Sequence, residues 1–429
     1  MARAPSWLAK LETLSLLYAA VFVTRIGFGA VVWIFPLYIP VSAGSAVAGI
    51  VTALYPAVEG LSALPVGAYV DQHGRRRAFV VGLVLISLLT FIVGLSNNLI
   101  SVGSAHAIEG LAAALITVSS LTMITDLTVE KNRGAGMGAF NLFTLAGYGV
   151  GLVLGVAFSQ VFSSSLGDSF FVVAGVMGVA AVFSYFVLRE PSHTSQEKPS
   201  LRRIYDSLTG DVSAILPVWF ALTVVLGFFL FVPRLLKEAR PGLAQSYISQ
   251  VTPLILLGLV VLGGGAVLFG RLSDRIGRTK TMAIGLAGFI GFLAIFPNLF
   301  QKLVPIPQGT PWLETYNLVG PILILAAVLF FFGSAVLPSV LAYMADKASL
   351  GFRGATMGLY SLMLSVGLAL GTVLAGVTDQ LGTQSCGQPC GVQGVFYSAV
   401  AILAVLSVVS GFMLRKVEPA GSVKIVQPT

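Results

Sequence analysis

Long apolar segments separated by short polar ones run along the whole chain. The segments lie at about 14–39, 46–70, 77–96, 99–125, 134–160, 168–188, 213–234, 250–270, 280–299, 318–343, 353–377 and 393–414. Each reaches or exceeds the ~20 residues that an α-helix needs to cross a hydrocarbon core of ~30 Å. The pattern therefore predicts an all-α membrane protein with twelve transmembrane helices.

The longest polar connection, at about 189–212, falls near the middle of the chain and holds Arg189, Lys198, Arg202 and Arg203. It leaves six apolar segments on each side. The sequence therefore predicts a first six-helix bundle over residues 1–190, a cytoplasmic linker over 191–212, and a second six-helix bundle over 213–429.

The composition is that of a membrane protein. Hydrophobic residues make up 56% of the 429 residues and charged residues only 10%, whereas soluble domains carry about 25% charged residues. The formal net charge of +8 could indicate nucleic-acid binding. However, the Lys and Arg residues form small clusters between apolar segments and not one stripe. We therefore expect a lipid bilayer as the partner, and no nucleic acid.

The basic residues also predict the orientation. Of the 25 Lys and Arg residues, 20 fall on the side of the N-terminus, Arg25 lies inside a segment, and four lie on the other side: Arg234, Lys237, Arg240 and Lys302. Because positively charged loops stay in the cytoplasm, both termini are predicted to be cytoplasmic in a multi-pass protein of the cell membrane. The first segment is long enough to span and lacks a clear cleavage site, so we expect it to be retained as a helix.

A short polar motif occurs twice, each time between two apolar segments. Residues 67–77 read GAYVDQHGRRR, and residues 270–280, at an offset of 203, read GRLSDRIGRTK. Arginines that cannot cross a bilayer and an Asp that can face a helix N-terminus suit a hairpin on its basic side. The residues concerned are Gly67, Asp71, Gly74, Arg75 and Arg76 in the first copy, and Gly270, Asp274, Arg275, Gly277 and Arg278 in the second.

This motif resembles the signature loop of the major facilitator superfamily, although Gln72 occupies a position where the family usually has Arg. Because both halves carry the motif, the resemblance covers nearly the whole chain. It implies two pseudo-symmetric six-helix bundles, the major facilitator fold, and a secondary transporter that works by alternating access.

The resemblance also implies a gate at the cytoplasmic end. In each half a motif Arg would reach an Asp at the end of the fourth or tenth helix, and the motif Asp would face the N-terminus of the eleventh or fifth helix. These contacts would hold that end shut in the outward-facing state. The pairs are Arg75 with Asp126 and Arg278 with Asp346, and Arg133 or Arg353 follows the respective Asp by seven residues. Alternatively, these charges only fix the topology.

Four ionisable side chains fall inside the apolar segments of the first half: Arg25, Glu59, His106 and Glu109. Charges at such depth are costly and mark functional sites. Arg25 lies twelve residues beyond Thr13, or about 18 Å along the first helix, which is too deep for snorkelling. Glu59 lies on a polar stripe without a basic residue. It is expected either to carry a proton or to form a structural hydrogen bond between helices.

The fourth helix holds His106, Glu109 and Gly110, which resemble an Arg-x-x-Gln-Gly pattern of family members but lack its Arg. Counted from Ser101, Glu109 lies about 12 Å inward, and this depth adds to that of Arg25 to give one core thickness. We therefore hypothesise that Arg25 supplies the missing positive charge from the first helix and pairs with Glu109.

Polar and aromatic residues of both halves could line a central cavity, although most aromatic residues of membrane helices simply pack. The candidates are Tyr55, Asn141, Tyr148, Trp219 and Tyr360. Gly147, Gly151 and Gly155 recur every fourth residue in the fifth helix and predict a close helix contact. The second half has no ionisable side chain near mid-bilayer, so coupling chemistry is expected in the first half, as in drug/proton antiporters.

The sequence motifs argue against an enzyme, a cofactor or a metal site. No Walker-type P-loop and no G-x-S-x-G motif occurs, and the 3 His residues are scattered. Cys386 and Cys390 lie in a predicted outer loop as CGQPC. They form either a small disulfide or a reduced pair, and both alternatives stay open.

These observations favour a secondary transporter, expected to act as a monomer on a small organic, fairly apolar solute. Proton-coupled export is the leading hypothesis, with Glu59 or Glu109 carrying the proton. The alternative within this class is a proton-coupled symporter that takes up a metabolite, and sodium coupling stays open. From a different class, the chain could be a non-transporting receptor that senses a solute with the same fold.

Overall fold

The computed structural model describes residues 6–128, 130–190, 211–239, 244–303, 312–347 and 353–417. Within these ranges some segments are described by their backbone only, among them 130–138, 244–256, 344–347 and 353–361. Residues 191–210 lie outside the described part of the chain. The division into two bundles joined by a linker at 191–212 therefore stays a prediction.

The described residues form thirteen α-helices and two short 3-10 turns, with no strand among them. The helices of the first half are α1 (Ser6–Tyr38), α2 (Ser45–His73), α3 (Arg75–Leu95), α4 (Leu99–Leu127), α5 (Glu130–Val161) and α6 (Leu166–Val187). Those of the second half are α7 (Leu216–Ala239), α8 (Ala244–Ile276), α9 (Arg278–Leu303), α10 (Trp312–Gly333), α11 (Val336–Lys347), α12 (Arg353–Cys386) and α13 (Gln388–Val417).

The prediction of an all-α membrane protein is confirmed. Searched over the described residues, 11 segments are long and apolar enough to cross a membrane, and one of them, Tyr316–Val340, extends from α10 into α11. The 33-residue helix α8 occupies the position of the eighth predicted span. The described helices thus agree with twelve crossings, the tenth of which is broken between α10 and α11.

Successive crossings run in opposite directions, so their connections collect at two ends of the bundle. We call the end with the turns at Gly74 and Gly277 the basic end, and the end with the turns at Gly44 and Gly387 the opposite end. All four glycines have positive φ, with 95° at Gly74 and 100° at Gly277. This left-handed conformation strains other residues, which explains why the motif keeps a Gly between its Asp and its basic residues.

The two halves meet mainly where α2 packs on α12, with further contacts of α1 with α7 and of α5 with α8. A Cβ atom on Gly49 of α2 would lie 2.6 Å from the carbonyl oxygen of Thr372, and one on Gly60 would lie 2.9 Å from the Cβ of Ser365. From there toward the basic end, α2 exposes Leu61 (75% exposed). The described contacts between α2 and α12 therefore lie in the part of α2 that leads to the opposite end.

Two predicted helix boundaries were wrong at the opposite end. The seventh segment was predicted to end at 234, but α7 continues to Ala239 and keeps Arg234 and Lys237 inside the helix. The predicted loop around the cysteines is also helical, because α12 ends with Cys386 and α13 already includes Cys390. The two cysteines are joined by a disulfide.

Candidate functional site

Arg25 lies in the middle of α1 with only 5% of its surface exposed. Its Nη1 donates a hydrogen bond to the hydroxyl of Tyr148 on α5 at 3.1 Å, and its Nη2 donates to Oγ1 of Thr117 on α4 at 3.0 Å. The guanidinium carbon also lies 5.2 Å from the ring centre of Phe28. Hydroxyl groups and an aromatic face thus replace the water that a buried guanidinium loses.

The contact between Arg25 and Tyr148 depends on the predicted glycine register of α5. A Cβ atom on Gly147 would lie 2.7 Å from the Cβ of Arg25, and one on Gly151 would lie 2.1 Å from the carbonyl oxygen of Ile26. At Gly155 the nearest atom would be the carbonyl oxygen of Ala30, at 2.7 Å. Three glycines in line therefore let α5 approach the backbone of α1. This confirms the predicted close helix contact, and the structure identifies α1 as the partner.

Glu59 of α2 shares Thr117 with Arg25. Its Oε1 accepts a hydrogen bond from the Thr117 hydroxyl at 3.3 Å, and Arg25 is the cation that attracts its charge. The approach of α4 is possible because a Cβ atom on Gly110 would lie 2.3 Å from the carbonyl oxygen of Tyr55 and 3.0 Å from the nitrogen of Glu59. The arrangement is a three-residue bridge from α1 through α4 to α2.

Glu109 of α4 forms a second buried group. Its Oε2 lies 2.7 Å from Nδ1 of His106, and its Oε1 accepts a hydrogen bond from the hydroxyl of Thr90 on α3 at 2.7 Å. The His106 ring stacks on Phe35, with centres 3.6 Å apart, and on the half-buried Tyr55 at 5.3 Å. Both oxygens of a nearly inaccessible carboxyl, 3% exposed, are therefore satisfied within the first half.

The structure corrects the hypothesis that Arg25 pairs with Glu109. Arg25 contacts Thr117, which lies eight residues beyond Glu109, or about 12 Å along α4. The depth estimate failed because it counted from the ends of the predicted segments, whereas α1 begins at Ser6 and α4 at Leu99. The polar stripe of Glu59 on α2 holds no basic residue, but Arg25 of α1 lies near its carboxyl.

The structure places the residues that were predicted to line a cavity in different surroundings. Tyr55 and Tyr148 adjoin the buried groups, since they stack on His106 and bind Arg25. Trp219 does not line an open cavity, because it is 1% exposed within the hydrophobic core. The side chains of Asn141 and Tyr360 lie outside the described residues.

At the basic end, the first copy of the motif forms a network within its own half. Arg75 is 5% exposed and binds Asp126 of α4 at 3.1 Å, as predicted, and Asp71 at 3.0 Å. The side chain of Asp71 stays 45% exposed. Arg76 contacts Tyr185 through the carbonyl oxygen and the ring face. In this conformation Asp71 therefore binds its own half.

The second copy repeats part of this arrangement. Arg278 forms an ion pair with Asp274, whose side chain is 61% exposed, and donates to the hydroxyl of Ser273 at 2.6 Å. The predicted partner of Arg278, Asp346, has its side chain outside the described residues. The same holds for Arg133 and Arg353, so the predicted gate contacts of these residues stay predictions.

Two contacts at these sites were missed by sequence reasoning. The carboxylate of Glu190 accepts hydrogen bonds from the backbone nitrogens of Arg75 at 2.6 Å and Arg76 at 2.9 Å, and so caps the N-terminus of α3. Thr117 links Arg25 to Glu59. The sequence around Glu190 and Thr117 does not indicate these contacts, because both residues act on residues far away in the sequence.

The model of the Major Facilitator Superfamily matches residues 17–296 and 241–427. Multidrug resistance protein 2 of Bacillus subtilis is 22% identical over 381 residues, which cover 85% of this chain and 88% of that protein. A mutant of the nucleoside transporter NupG has a similar structure, with a TM-score of 0.71 at 16% identity, over 94% of this chain and 99% of that one.

A bacterial homologue of the human lysosomal transporter Spinster, in an inward-facing and unoccupied conformation, has a TM-score of 0.68 at 16% identity over 96% of this chain and 97% of that one. These similarities agree with the duplicated motif and with the helical architecture. The chain therefore belongs to the Major Facilitator Superfamily and is a multi-pass membrane transporter, not an enzyme.

Proposed function

We propose that this transporter exports an organic, fairly apolar solute in exchange for protons. The observation that carries the proposal is the pair of buried polar groups in the first half, Arg25–Thr117–Glu59 and Thr90–Glu109–His106. Multidrug resistance protein 2, a relative over most of its length, is named for drug resistance. That relation supports export of an organic solute by this chain.

The two carboxyl groups have different surroundings, which suits two different tasks. Glu109 is held by Thr90 and by His106, whose ring stacks on Phe35, so its carboxyl is enclosed by the first half. Glu59 is less buried and faces Arg25 through Thr117. Protonation of Glu59 would remove the negative charge that attracts Arg25. The expected cavity between the halves would then change its lining, which would favour one conformation over the other.

The orientation follows from the positive-inside rule and belongs to the same proposal. With both termini in the cytoplasm, the basic end is cytoplasmic and the opposite end faces outward. The described contacts of α2 with α12 lie toward the opposite end, which supports an inward-facing conformation. Asp71 and Asp274, now bound within their own halves, would reach across when the cytoplasmic end closes.

The asymmetry between the halves supports coupling in the first one. Among the described residues of the second half, the buried charged side chains Arg234 and Asp379 lie at the opposite end, far from mid-membrane. Because both polar groups are complete within one chain, we propose a monomer as the working unit.

Transport by purified protein in liposomes tests the proposal. A panel of organic solutes of graded charge and hydrophobicity is offered under a pH gradient and, separately, under a sodium gradient. We expect the pH gradient alone to drive transport and Glu59→Gln and Glu109→Gln each to reduce that dependence at least about tenfold, as for loss of an essential proton carrier. The matched control is Glu12→Gln, since Glu12 is an exposed carboxyl at the start of α1.

Three results would contradict the proposal. Gradient-driven transport that survives both substitutions would exclude these carboxyls as the coupling groups. Solute movement in the same direction as the protons would identify the alternative, a symporter. Transport that depends on the sodium gradient and not on the pH gradient would identify sodium as the coupling ion.

A further inference from the structure

A cluster of charged side chains joins the two halves at the opposite end, away from the Arg25 and Glu109 groups. Helix α7 contributes Arg234, Lys237 and Glu238, and α12 contributes Asp379. Arg234 is completely buried and Asp379 is 1% exposed. Charged side chains so deeply buried need specific partners.

The two cations of the cluster cap the end of α1. Arg234 donates from Nη1 to the carbonyl oxygen of Ile39 at 2.6 Å and from Nη2 to that of Pro40 at 3.1 Å. Lys237 Nζ donates to the carbonyl oxygens of Leu37 at 2.5 Å and Ile39 at 3.0 Å. The last carbonyls of a helix carry partial negative charge, so cations of the second half hold a helix end of the first half.

The acidic side of the cluster meets the start of α2. Glu238 accepts hydrogen bonds from Nε of Arg234 at 2.5 Å and from the hydroxyl of Ser45, the first residue of α2, at 2.8 Å. Gln380 of α12 accepts one from the backbone nitrogen of Ala46 at 3.0 Å. Acceptors of the second half thus satisfy the N-terminus of α2, where the helix presents its unpaired donors.

Asp379 is the exception in this network. Neither of its carboxyl oxygens accepts a hydrogen bond from the described residues, and its polar neighbours include Ser45, Glu238 and the hydroxyl of Thr383, which lies beside it at Gly391. The Ser45 proton is already donated to Glu238, and the donors of Arg234 serve α1 and Glu238. On its other side, a Cβ atom on Gly391 of α13 would lie 2.3 Å from Asp379 Oδ1, so the carboxyl is tightly enclosed.

A buried carboxylate without a donor is costly, whereas a protonated carboxyl can itself donate to a neighbouring carboxylate. We infer that Asp379 and Glu238 form a proton-binding carboxyl pair, and that one proton taken from the water at the opposite end stabilises the conformation in which this end is closed. The charged groups that face the pair are Arg234 and Lys237 of α7. From α1, α2 and α13 the described neighbours are carbonyl groups, the Ser45 hydroxyl and a glycine.

When the opposite end opens, α2 and α12 separate and water reaches both carboxyls. The proton then leaves to the solvent, and two hydrated carboxylates remain beside two cations. Closing the end reverses the exchange. The inference does not rest on the proposed function, because it concerns the equilibrium between two conformations and requires neither a substrate nor coupling through Glu59 and Glu109.

Distance measurements between two spin labels test the inference. Labels at Asn97→Cys and Gln384→Cys report on the opposite end from one exposed position in each half, and the native cysteines are occupied by their disulfide. The full chain is placed in lipid nanodiscs and measured between about pH 5 and pH 8. Uptake of one proton on closing predicts that the closed-to-open ratio rises by up to about tenfold for each unit of decreasing pH.

Asp379→Asn imitates the protonated carboxyl, so we expect it to stay closed, with less than about a twofold change over the same range. Glu238→Gln removes the other member of the pair and is expected to flatten the response as well, which gives a second test if Asp379→Asn does not fold. Asp168→Asn, at an exposed carboxyl of the same end, is the matched control and should respond as the wild type does.

Several outcomes would overturn the inference. They are a wild type without a pH response, a full response in either variant of the pair, and a flattened response in the Asp168→Asn control. A variant that combines Glu59→Gln with Glu109→Gln separates this pair from the central groups. It should keep the wild-type response, and loss of the response there would assign the proton to the central carboxyls.

Discussion

The close contact between α1 and α5 predicts that Gly151→Ala destabilises the protein while Gly149→Ala does not. A Cβ atom at position 151 would lie 2.1 Å from the carbonyl oxygen of Ile26 and 2.9 Å from the Cα of Gly29. Both are backbone atoms, which cannot rotate away. Gly149, on the same helix, has nothing within 4 Å of its added Cβ.

The expected magnitude follows from two opposing contributions. Restoring an ordinary contact of 3.4 Å requires α1 to move by more than 1 Å, and such overpacking costs about 1–3 kcal/mol. Ala in place of Gly favours a helix by up to about 1 kcal/mol, and this gain applies to both variants. We therefore expect Gly149→Ala to be neutral or slightly stabilised and Gly151→Ala to lie about 2 kcal/mol below it in free energy of unfolding.

Thermal unfolding of the purified variants in one detergent measures this difference. An unfolding entropy of about 2 cal/mol/K per residue makes 1 kcal/mol worth about 1 °C for a chain of 429 residues that unfolds as a whole. Gly151→Ala should thus melt about 2 °C below Gly149→Ala. Its transport should fall as well, because the displaced backbone carries Arg25. Equal melting temperatures, or a more stable Gly151→Ala, would refute the packing argument.

Two further predictions concern the ends of the bundle. Arg75→Gln should lower the free energy of unfolding by about 3 kcal/mol, because it removes the cation from a buried ion pair with Asp126. Arg77→Gln, at an exposed position of the same motif, should lie within about 0.5 kcal/mol of the wild type in chemical denaturation. Cys386→Ser removes the bond to Cys390, which closes a five-residue loop, and should cost about 2 kcal/mol in the same assay; a reducing agent should reproduce this loss in the wild type and leave the variant unchanged.

Much of the fold could be predicted because a bilayer restricts the chain to long apolar helices. The span count and the paired motif follow from that restriction. The ion pair between Arg75 and Asp126 was also predicted, since a family resemblance carries a contact between distant residues. The glycine register of α5 predicted a close helix contact, though not its partner α1, because a row of residues without Cβ atoms admits another backbone.

Partners of buried polar groups could not be predicted in the same way. Arg25 finds Thr117 and Tyr148, and Glu109 finds Thr90, because of the rotation and offset of whole helices, which depth counting along one helix does not give. Arg234 was predicted to end the seventh segment, on the side away from the N-terminus. The structure instead keeps it in α7, where carbonyl groups of the other half replace water.

The two ends of the bundle use charge in different ways, and this difference bears on the transport cycle. At the basic end, the described ion pairs of Asp71 and Asp274 are partly exposed and stay within one half, so they contribute little to closure. At the opposite end, Arg234 and Lys237 bind the carbonyl groups of the other half and lie in a buried contact.

A transporter needs conformations of similar free energy, so a strong contact at one end must be offset when that end opens. If Asp71 and Asp274 left the Arg residues of their own halves and bound the facing helices of the other half, the closed basic end would be stabilised. Release of a proton from Asp379 and hydration of its carboxylate would stabilise the open opposite end. Both changes favour the conformation in which the basic end is closed and the opposite end is open. A proton bound at the opposite end would therefore oppose closure of the basic end.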